Sequence, residues 1–135
     1  MTSAHTHHFV APKQVVRSFW EAMRTNDFYA AAAWLAEDFE GFWPQSAERI
    51  VGRNNFAEIN QQYPAEGRWT FQVNSLLAEG NQVVSDVSIS DGVLHARAIT
   101  FHTVKDGLVA KQVEYWPEDF PAPEWRAQWV ELNQA

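Results

Sequence analysis

Residues 82–107 read QVVSDVSISDGVLHARAITFHTVKDG, and this stretch decides the fold. Apolar and polar side chains alternate through it, which is typical of strands that bury one face. Asp91-Gly92 and Asp106-Gly107 interrupt the alternation, and Asp-Gly is a strong signal for a tight hairpin turn. The same alternation begins at Trp69, and Glu79-Gly80-Asn81 supplies an earlier turn. The pattern therefore predicts a four-stranded antiparallel meander that ends near Tyr115.

Upstream of the meander the apolar spacing changes to that of helices. Pro12 suits a first helical turn, and an amphipathic stripe follows it at Val15, Val16, Phe19, Trp20 and Met23. Asn26-Asp27 ends this helix, and Asp27 is a good N-cap for a second helix that runs to about Leu35. Asn54 or Asn55 is expected to cap a third helix, which Pro64 ends.

Between the second and third helices, residues 39–43 predict a short strand and residues 44–52 a loop. After the meander, residues 124–132 predict a short closing helix. Helices followed by a meander indicate an α+β fold with the helices on one face of a bent sheet. Residues 12–135 are expected to form this single domain, and residues 1–11 a flexible tail whose His5, His7 and His8 are not a functional metal site.

Composition excludes several classes of protein. The net charge of −7 argues against nucleic-acid binding, and the absence of cysteine excludes thiolate metal sites and cysteine nucleophiles. No segment approaches the roughly 18 consecutive apolar residues that a membrane helix needs. The first residues lack the pattern of a secretory signal, so a cytoplasmic location is expected, with no membrane partner.

Pairing through Asp91-Gly92 as a two-residue turn assigns the faces of the central strands. The face with Ala96, Ala98, Thr100 and His102 points to the helices, and its small side chains leave space for a pocket. On the opposite face Asp86 lies across from Arg97. Val84, Ile99 and Phe101 form an apolar patch there, which either a second copy of the chain or the segment with Trp125 and Trp129 would cover.

Several short motifs, in this order and spacing, carry a family resemblance: VVRSFW at 15–20, the Asn26-Asp27 break, WLAEDF at 34–39, the Trp43-Pro44 loop to Gly52, and EYW at 114–116. Over about residues 12–120 they resemble the SnoaL-like, polyketide cyclase and ketosteroid isomerase-like branch of the nuclear transport factor 2-like superfamily. The resemblance implies a cone-shaped α+β barrel of three helices on a curved, mainly antiparallel sheet around a pocket. It also implies a homodimer formed through the sheet.

The catalytic residues of the known relatives are not matched in this sequence. The positions of the ketosteroid isomerase base, tyrosine and second acid fall at Trp43, Phe19 and Thr100. Epoxide hydrolase members need an acid two residues after a strand arginine, where Arg97 is followed by Ile99. The late acid of cyclase members falls at Pro117.

The inward face still offers one group for acid–base chemistry, namely His102. With a two-residue turn at Asp106-Gly107, Lys111 lies opposite it, so burial and a facing cation both predict a lowered pKa and a neutral ring. The same register places Glu114 on the outer face. Residues expected to line the pocket are Phe19, Met23, Trp43, Tyr63, Thr100, His102, Tyr115 and Trp116.

In this interpretation Tyr63, Thr100 and His102 orient a carbonyl or hydroxyl within a cavity that touches both Trp43 and His102. The ligand is a small hydrophobic or aromatic molecule, and the activity a cofactor-independent isomerase, cyclase or lyase reaction. The alternative is a non-catalytic binding or dimeric assembly module of the same fold. Arg49 and Arg53 lie between Pro44 and the third helix, beside the predicted pocket, where a guanidinium would select an anion, although solvated loop charges are the simpler interpretation.

Overall fold

A computed structural model describes residues 10–133 of the chain. Within them lie three α-helices, which are α1 (Pro12–Arg24), α2 (Phe28–Ala32) and α3 (Arg53–Gln62). The strands are β1 (Leu35–Trp43), β2 (Glu48–Val51), β3 (Thr70–Glu79), β4 (Gln82–Ser90), β5 (His95–Lys105) and β6 (Leu108–Tyr115). A 3-10 helix covers Glu124–Trp129. None of the helices in this part of the chain has the length and apolarity to cross a membrane. The predicted histidine cluster at 5–8 lies outside the described residues.

The six strands form one curved sheet in the order β2-β1-β6-β5-β4-β3. Only β1 and β6 are parallel, and the edge strands β2 and β3 do not pair with each other. The helices cover one face, which we call the inner face. The predicted α+β fold, with helices on a curved and mainly antiparallel sheet, is confirmed.

Helix α1 forms as its apolar spacing predicts. Its stripe of five apolar residues is fully buried, and it packs across β3 to β6. Asn26 lies between α1 and α2 and has a backbone φ of 65°. Its side-chain amide forms hydrogen bonds with the backbone N–H and C=O of Trp69. The Asp27 side chain accepts from the Ala30 N–H at 3.0 Å, so the predicted cap of α2 is confirmed.

The segment between α2 and α3 differs from the prediction in three ways. Helix α2 ends at Ala32 rather than near Leu35, because β1 begins at Leu35 and pairs with Val109. Residues 48–51 form β2 rather than a loop, with Ile50 buried against β1. Helix α3 is preceded by Gly52 at φ of 85°, and no side chain of Asn54 or Asn55 caps it.

The hairpin between β4 and β5 has a longer loop than the two-residue turn that Asp91-Gly92 predicts. Asp91 Oδ1 accepts from the N–H groups of Val93 and Leu94, and Oδ2 accepts from that of Glu66. These bonds draw residues 91–94 into the loop and pair Ser90 with His95. The register therefore shifts by two, which leaves every side chain on its predicted face. Arg97 still pairs with Asp86, although Ile99 lies directly opposite that aspartate.

The hairpin between β5 and β6 contains a bulge that the sequence does not reveal. Val104 pairs with Val109, but Thr103 pairs with Lys111, so Ala110 is an extra residue. A shift of one residue moves the later side chains of β6 to the opposite face. Glu114 consequently lies on the inner face opposite Thr100, which corrects its predicted outer position. Gln112, not Lys111, lies opposite His102.

Candidate functional site

An inner cavity of about 100 Å³ lies between the helices and the inner face of the sheet. Its walls are mostly aromatic and aliphatic, and among residues 10–133 three lining residues carry an amide or a carboxylate: Asn60, Gln112 and Glu114. The other lining residues are Phe19, Trp20, Met23, Phe28, Trp43, Phe56, Ile59, Tyr63, Trp69, Phe71, Ile89, Leu94, Ala96 and Trp116. Convergence of a few polar groups on an apolar cavity is the usual form of a small-molecule site.

Glu114 is the one carboxylate on this wall. Two donors hold it: Thr100 Oγ1 donates to Oε2 at 2.5 Å, and Trp43 Nε1 donates to Oε1 at 3.0 Å. Thr100 comes from β5 and Trp43 from the end of β1, on the two strands that flank β6. We call these three residues the open cluster, because their carboxylate faces the cavity. No lysine or arginine lines that cavity.

Burial raises the pKa of the Glu114 carboxyl, and the hydrogen bonds from Thr100 and Trp43 oppose this rise. Desolvation disfavours the charged form of a carboxyl, whereas donors stabilise it. A carboxyl whose pKa moves towards neutral pH is better suited to exchange protons with a ligand. The open cluster therefore has the position and the electrostatics of an acid–base group.

His102 belongs to a second cluster, and the inner cavity does not reach its ring. Its ring is fully buried, its Nε2 lies 2.8 Å from Ser85 Oγ, and its Nδ1 lies 3.1 Å from Gln112 Nε2. Trp20 Nε1 donates to the same Ser85 Oγ at 3.1 Å. We call these four residues the closed cluster. Burial lowers the pKa of His102 to about 3, which is the predicted direction. The predicted facing cation takes no part in this shift, because Gln112 lies opposite the ring.

The placement of His102 corrects the prediction that it reacts with a ligand. The cavity touches Trp43 but not His102, and both ring nitrogens already have protein partners. Of the closed cluster, Trp20 and Gln112 line the cavity. His102 therefore acts on the site through its neighbours, by holding the Gln112 amide directly and the Trp20 indole through Ser85.

The other predicted lining residues divide into three groups. Those that line the inner cavity are Phe19, Met23, Trp43, Tyr63 and Trp116. Thr100 is fully buried behind the wall and reaches the site through Glu114. Tyr115 lies on the outer face opposite Ile99, 40% exposed and against Phe101, so its predicted place in the pocket is corrected.

Glu114 is the functional candidate that reading the sequence places wrongly. A bulge at Ala110 reverses the faces of β6 after Val109, and no glycine marks the bulge in the sequence. One signal does point to it: the side chain of Trp43, predicted to line the pocket, needs a partner for its N–H when it is buried.

The arginines near the site are engaged elsewhere. Arg49 lies 5.4 Å from the ring centre of Phe42 and pairs with Glu40 at 3.4 Å. Arg53 donates to the Leu35 carbonyl at 3.2 Å. Neither lines the inner cavity, and no group of three potential metal ligands occurs within residues 10–133.

Comparisons with known proteins agree with this geometry. The family profile described as SnoaL-like domain matches residues 16–112. The chain is 33% identical to a candidate ketosteroid isomerase from Kribbella flavida, with a TM-score of 0.84 over 92% of this chain and 90% of that one. An NTF-2 like protein of unknown function from Burkholderia xenovorans is 29% identical, with a TM-score of 0.77 over 91% and 95% of the two chains. No curated protein matches the sequence.

More distant relatives share the fold. An LEH-like epoxide hydrolase from M. tuberculosis is 21% identical to this chain, with a TM-score of 0.63 over 78% of this chain and 82% of that one. Relatives with this architecture therefore differ in the chemistry for which they are named, and the side chains of the site must indicate the activity.

Proposed function

This chain belongs to the SnoaL-like domain family, and we propose that it binds a small hydrophobic or aromatic molecule in the inner cavity and moves a proton on it through Glu114. The family includes isomerases, cyclases and epoxide hydrolases. The proposal assigns this chain a cofactor-independent isomerase, cyclase or lyase reaction. The observation that carries it is a single carboxylate, of raised pKa, on a mostly apolar wall.

The proposed proton transfer suits a ligand with a carbonyl group. Ionised Glu114 takes a proton from the carbon next to the carbonyl, and the electron pair of the broken C–H bond moves onto the carbonyl oxygen as an enolate. In this proposal the Gln112 amide, which lines the same cavity, donates to that oxygen. Return of the proton to the same carbon exchanges it, and return to a conjugated carbon moves a double bond.

Binding is tested first with small aromatic and terpenoid ketones. A ligand that enters the cavity should raise the melting temperature and quench tryptophan fluorescence, because four tryptophans line its walls. Trp43→Ala removes a large side chain from the wall, so it should reduce both the rise in melting temperature and the quenching. Trp129→Ala is the matched control, since that side chain is 69% exposed and lies outside the cavity. Failure of every ketone to stabilise the protein would contradict the proposal.

Proton transfer is tested with a ketone that binds, by ¹H NMR of deuterium uptake in D₂O. Loss of a positioned acid–base group lowers a rate by about 10²- to 10⁴-fold. Glu114→Gln should lower the exchange rate by this factor while leaving the fold intact. Glu40→Gln is the control, because Glu40 pairs with Arg49 outside the cavity. Equal exchange by wild type and Glu114→Gln would remove Glu114 from the chemistry.

The outer face of the sheet favours a second function, assembly with another copy of the chain. Aligned register pairs form an apolar row across five strands at Leu77, Val84, Phe101, Val113 and Phe42. Leu77 is 66% exposed and Phe101 is 44% exposed. In the described part of the C-terminal segment, the side chains of Trp125 and Trp129 are themselves exposed and so are not buried against this row.

A homodimer would bury this row between two copies. Light scattering at micromolar concentration should give twice the mass of one chain, and Phe101→Glu should return the mass to that of one chain. A wild-type particle of one chain's mass would contradict the dimer. A dimer that binds none of the ketones would favour the assembly module over the ligand-binding protein.

A further inference from the structure

A wider outer cavity adjoins the inner one. It has a volume of about 470 Å³ and shares three aromatic side chains with the inner cavity: Trp43, Tyr63 and Trp116. The inner cavity of about 100 Å³ has room for little more than a ring, whereas ligand pockets commonly measure about 300–1,000 Å³. A ligand larger than a ring must therefore extend between the three aromatic side chains into the outer cavity.

Two carboxylates, from distant parts of the chain, line the outer cavity. Glu48 begins β2 and accepts from Ser46 Oγ at 2.6 Å, and Glu118 follows β6. The two segments are tied together at Gln45. Its Nε2 donates to the Trp116 carbonyl at 3.1 Å, and its Oε1 accepts from the Trp116 N–H at 2.5 Å.

Among the residues that the structure describes, the lining of both cavities is negative and aromatic and contains no lysine or arginine. The nearby Arg49 lies over Phe42 and pairs with Glu40, away from both cavities. A carboxylate or phosphate on the ligand would meet only like charges here. A cation would meet opposite charges and aromatic faces, which attract ammonium groups.

We propose that the outer cavity selects ligands that carry a positively charged amine on an apolar body. The body lies in the inner cavity, and the ammonium lies among Trp43, Tyr63 and Trp116, towards Glu48 and Glu118. This inference rests on the proposed binding function of the inner cavity. It names the class of ligand, which is a hydrophobic amine.

Three ligands of one shape test this selection: 3-phenylpropylamine, 3-phenylpropan-1-ol and 3-phenylpropanoate. Their affinities are measured by tryptophan fluorescence and by calorimetry at low salt and neutral pH. The amine should bind roughly fivefold more tightly than the alcohol, and the carboxylate should bind most weakly. Added salt should reduce the difference between amine and alcohol, because ions screen exposed charges.

Variants at the outer cavity assign the preference to its side chains. Glu118→Gln and Glu48→Gln should each reduce the ratio of amine to alcohol affinity by roughly twofold to threefold, because each variant removes a negative charge that attracts only the amine. Glu79→Gln is the matched control, since Glu79 ends β3 and lines neither cavity. It should leave the ratio unchanged.

The outcomes separate this inference from the function on which it rests. If the alcohol binds as tightly as the amine, or the carboxylate binds best, the amine preference is overturned while binding in the inner cavity stands. A preference that survives Glu118→Gln and Glu48→Gln unchanged overturns the outer cavity as its source. If none of the three ligands and none of the ketones binds, both proposals are overturned.

Discussion

The closed cluster and the open cluster lie side by side on the inner face, and both depend on β5. His102 centres the first and Thr100 contributes to the second. Both clusters take an ionisable group out of water, and burial favours the neutral form in each. Burial lowers the pKa of the imidazole to about 3 and raises the pKa of the Glu114 carboxyl.

The two clusters differ in what their polar atoms meet. Each nitrogen of His102 meets a protein partner, so the ring has no position left for a ligand. Glu114 has one donor on each oxygen, and its carboxylate faces the cavity. A perturbed pKa therefore indicates a reactive group only where a cavity reaches it, since structural networks perturb pKa values as well.

The largest expected effect separates the clusters by stability. His102→Ala empties a fully buried ring site and leaves polar atoms of Ser85 and Gln112 without a partner, so the free energy of unfolding should fall by about 3–5 kcal/mol. Glu114→Gln removes a desolvated carboxyl and should leave the protein at least as stable as the wild type at pH 7. Urea unfolding followed by tryptophan fluorescence measures both changes.

The same variants separate the clusters by activity. Deuterium exchange per folded molecule should change by less than about tenfold in His102→Ala, because the ring does not touch the ligand, whereas Glu114→Gln should lose about 10²- to 10⁴-fold. If His102→Ala remained as stable as the wild type but lost exchange, the roles assigned to the two clusters would be reversed.

The pH dependence of stability should have opposite signs in the two clusters. Folded His102 binds fewer protons than an unfolded histidine, so stability falls as pH decreases from about 6.5 towards 3, by at most about 1.4 kcal/mol per pH unit. Folded Glu114 binds protons more readily than an unfolded glutamate, so its contribution falls as pH rises above about 4.3.

Chemical unfolding across pH 3–8 measures these contributions as differences from the wild type. In His102→Gln, the loss of stability below about pH 6.5 should be smaller than in the wild type. Glu114→Gln should gain stability relative to the wild type as pH rises. Parallel curves for all three proteins would show that neither group is perturbed.

The smallest expected effect lies within the open cluster. The Thr100 hydroxyl lowers the pKa of Glu114, so Thr100→Val, which is close to it in shape, should raise that pKa further. In the plot of exchange rate against pH, the rise on the acid side should move to higher pH, and the maximal rate should change by less than about tenfold. An unchanged position of this rise would show that Thr100 does not act on the carboxyl.

The sequence predicts the helices and the alternating strands well, because burial repeats with a fixed period. The stripe of α1 and the inward set Ala98, Thr100 and His102 are buried as that period requires. An error of two residues in the β4–β5 register leaves these faces unchanged. The general form of the pocket is therefore within reach of the sequence.

The chemistry of the site cannot be predicted from the sequence in the same way, because it depends on single-residue details. The extra residue Ala110 moves Glu114 inwards and Tyr115 outwards, and no turn residue announces it. The alternation of side chains along β5 shows that His102 points inwards. It does not show whether its neighbours enclose the ring or whether the ring lines a cavity. That distinction depends on Ser85 and Gln112, whose side chains meet the ring only in the folded chain.

The most direct test of the central claim is a ¹³C NMR titration of the Glu114 carboxyl, assigned by its absence in Glu114→Gln. The midpoint in the free protein should lie above the ordinary glutamate value of about 4.3. It should rise further when a neutral apolar ligand fills the cavity and displaces water from the carboxylate. A midpoint at or below the ordinary value that no ligand moves would contradict the claim that Glu114 lies on the wall of a binding cavity.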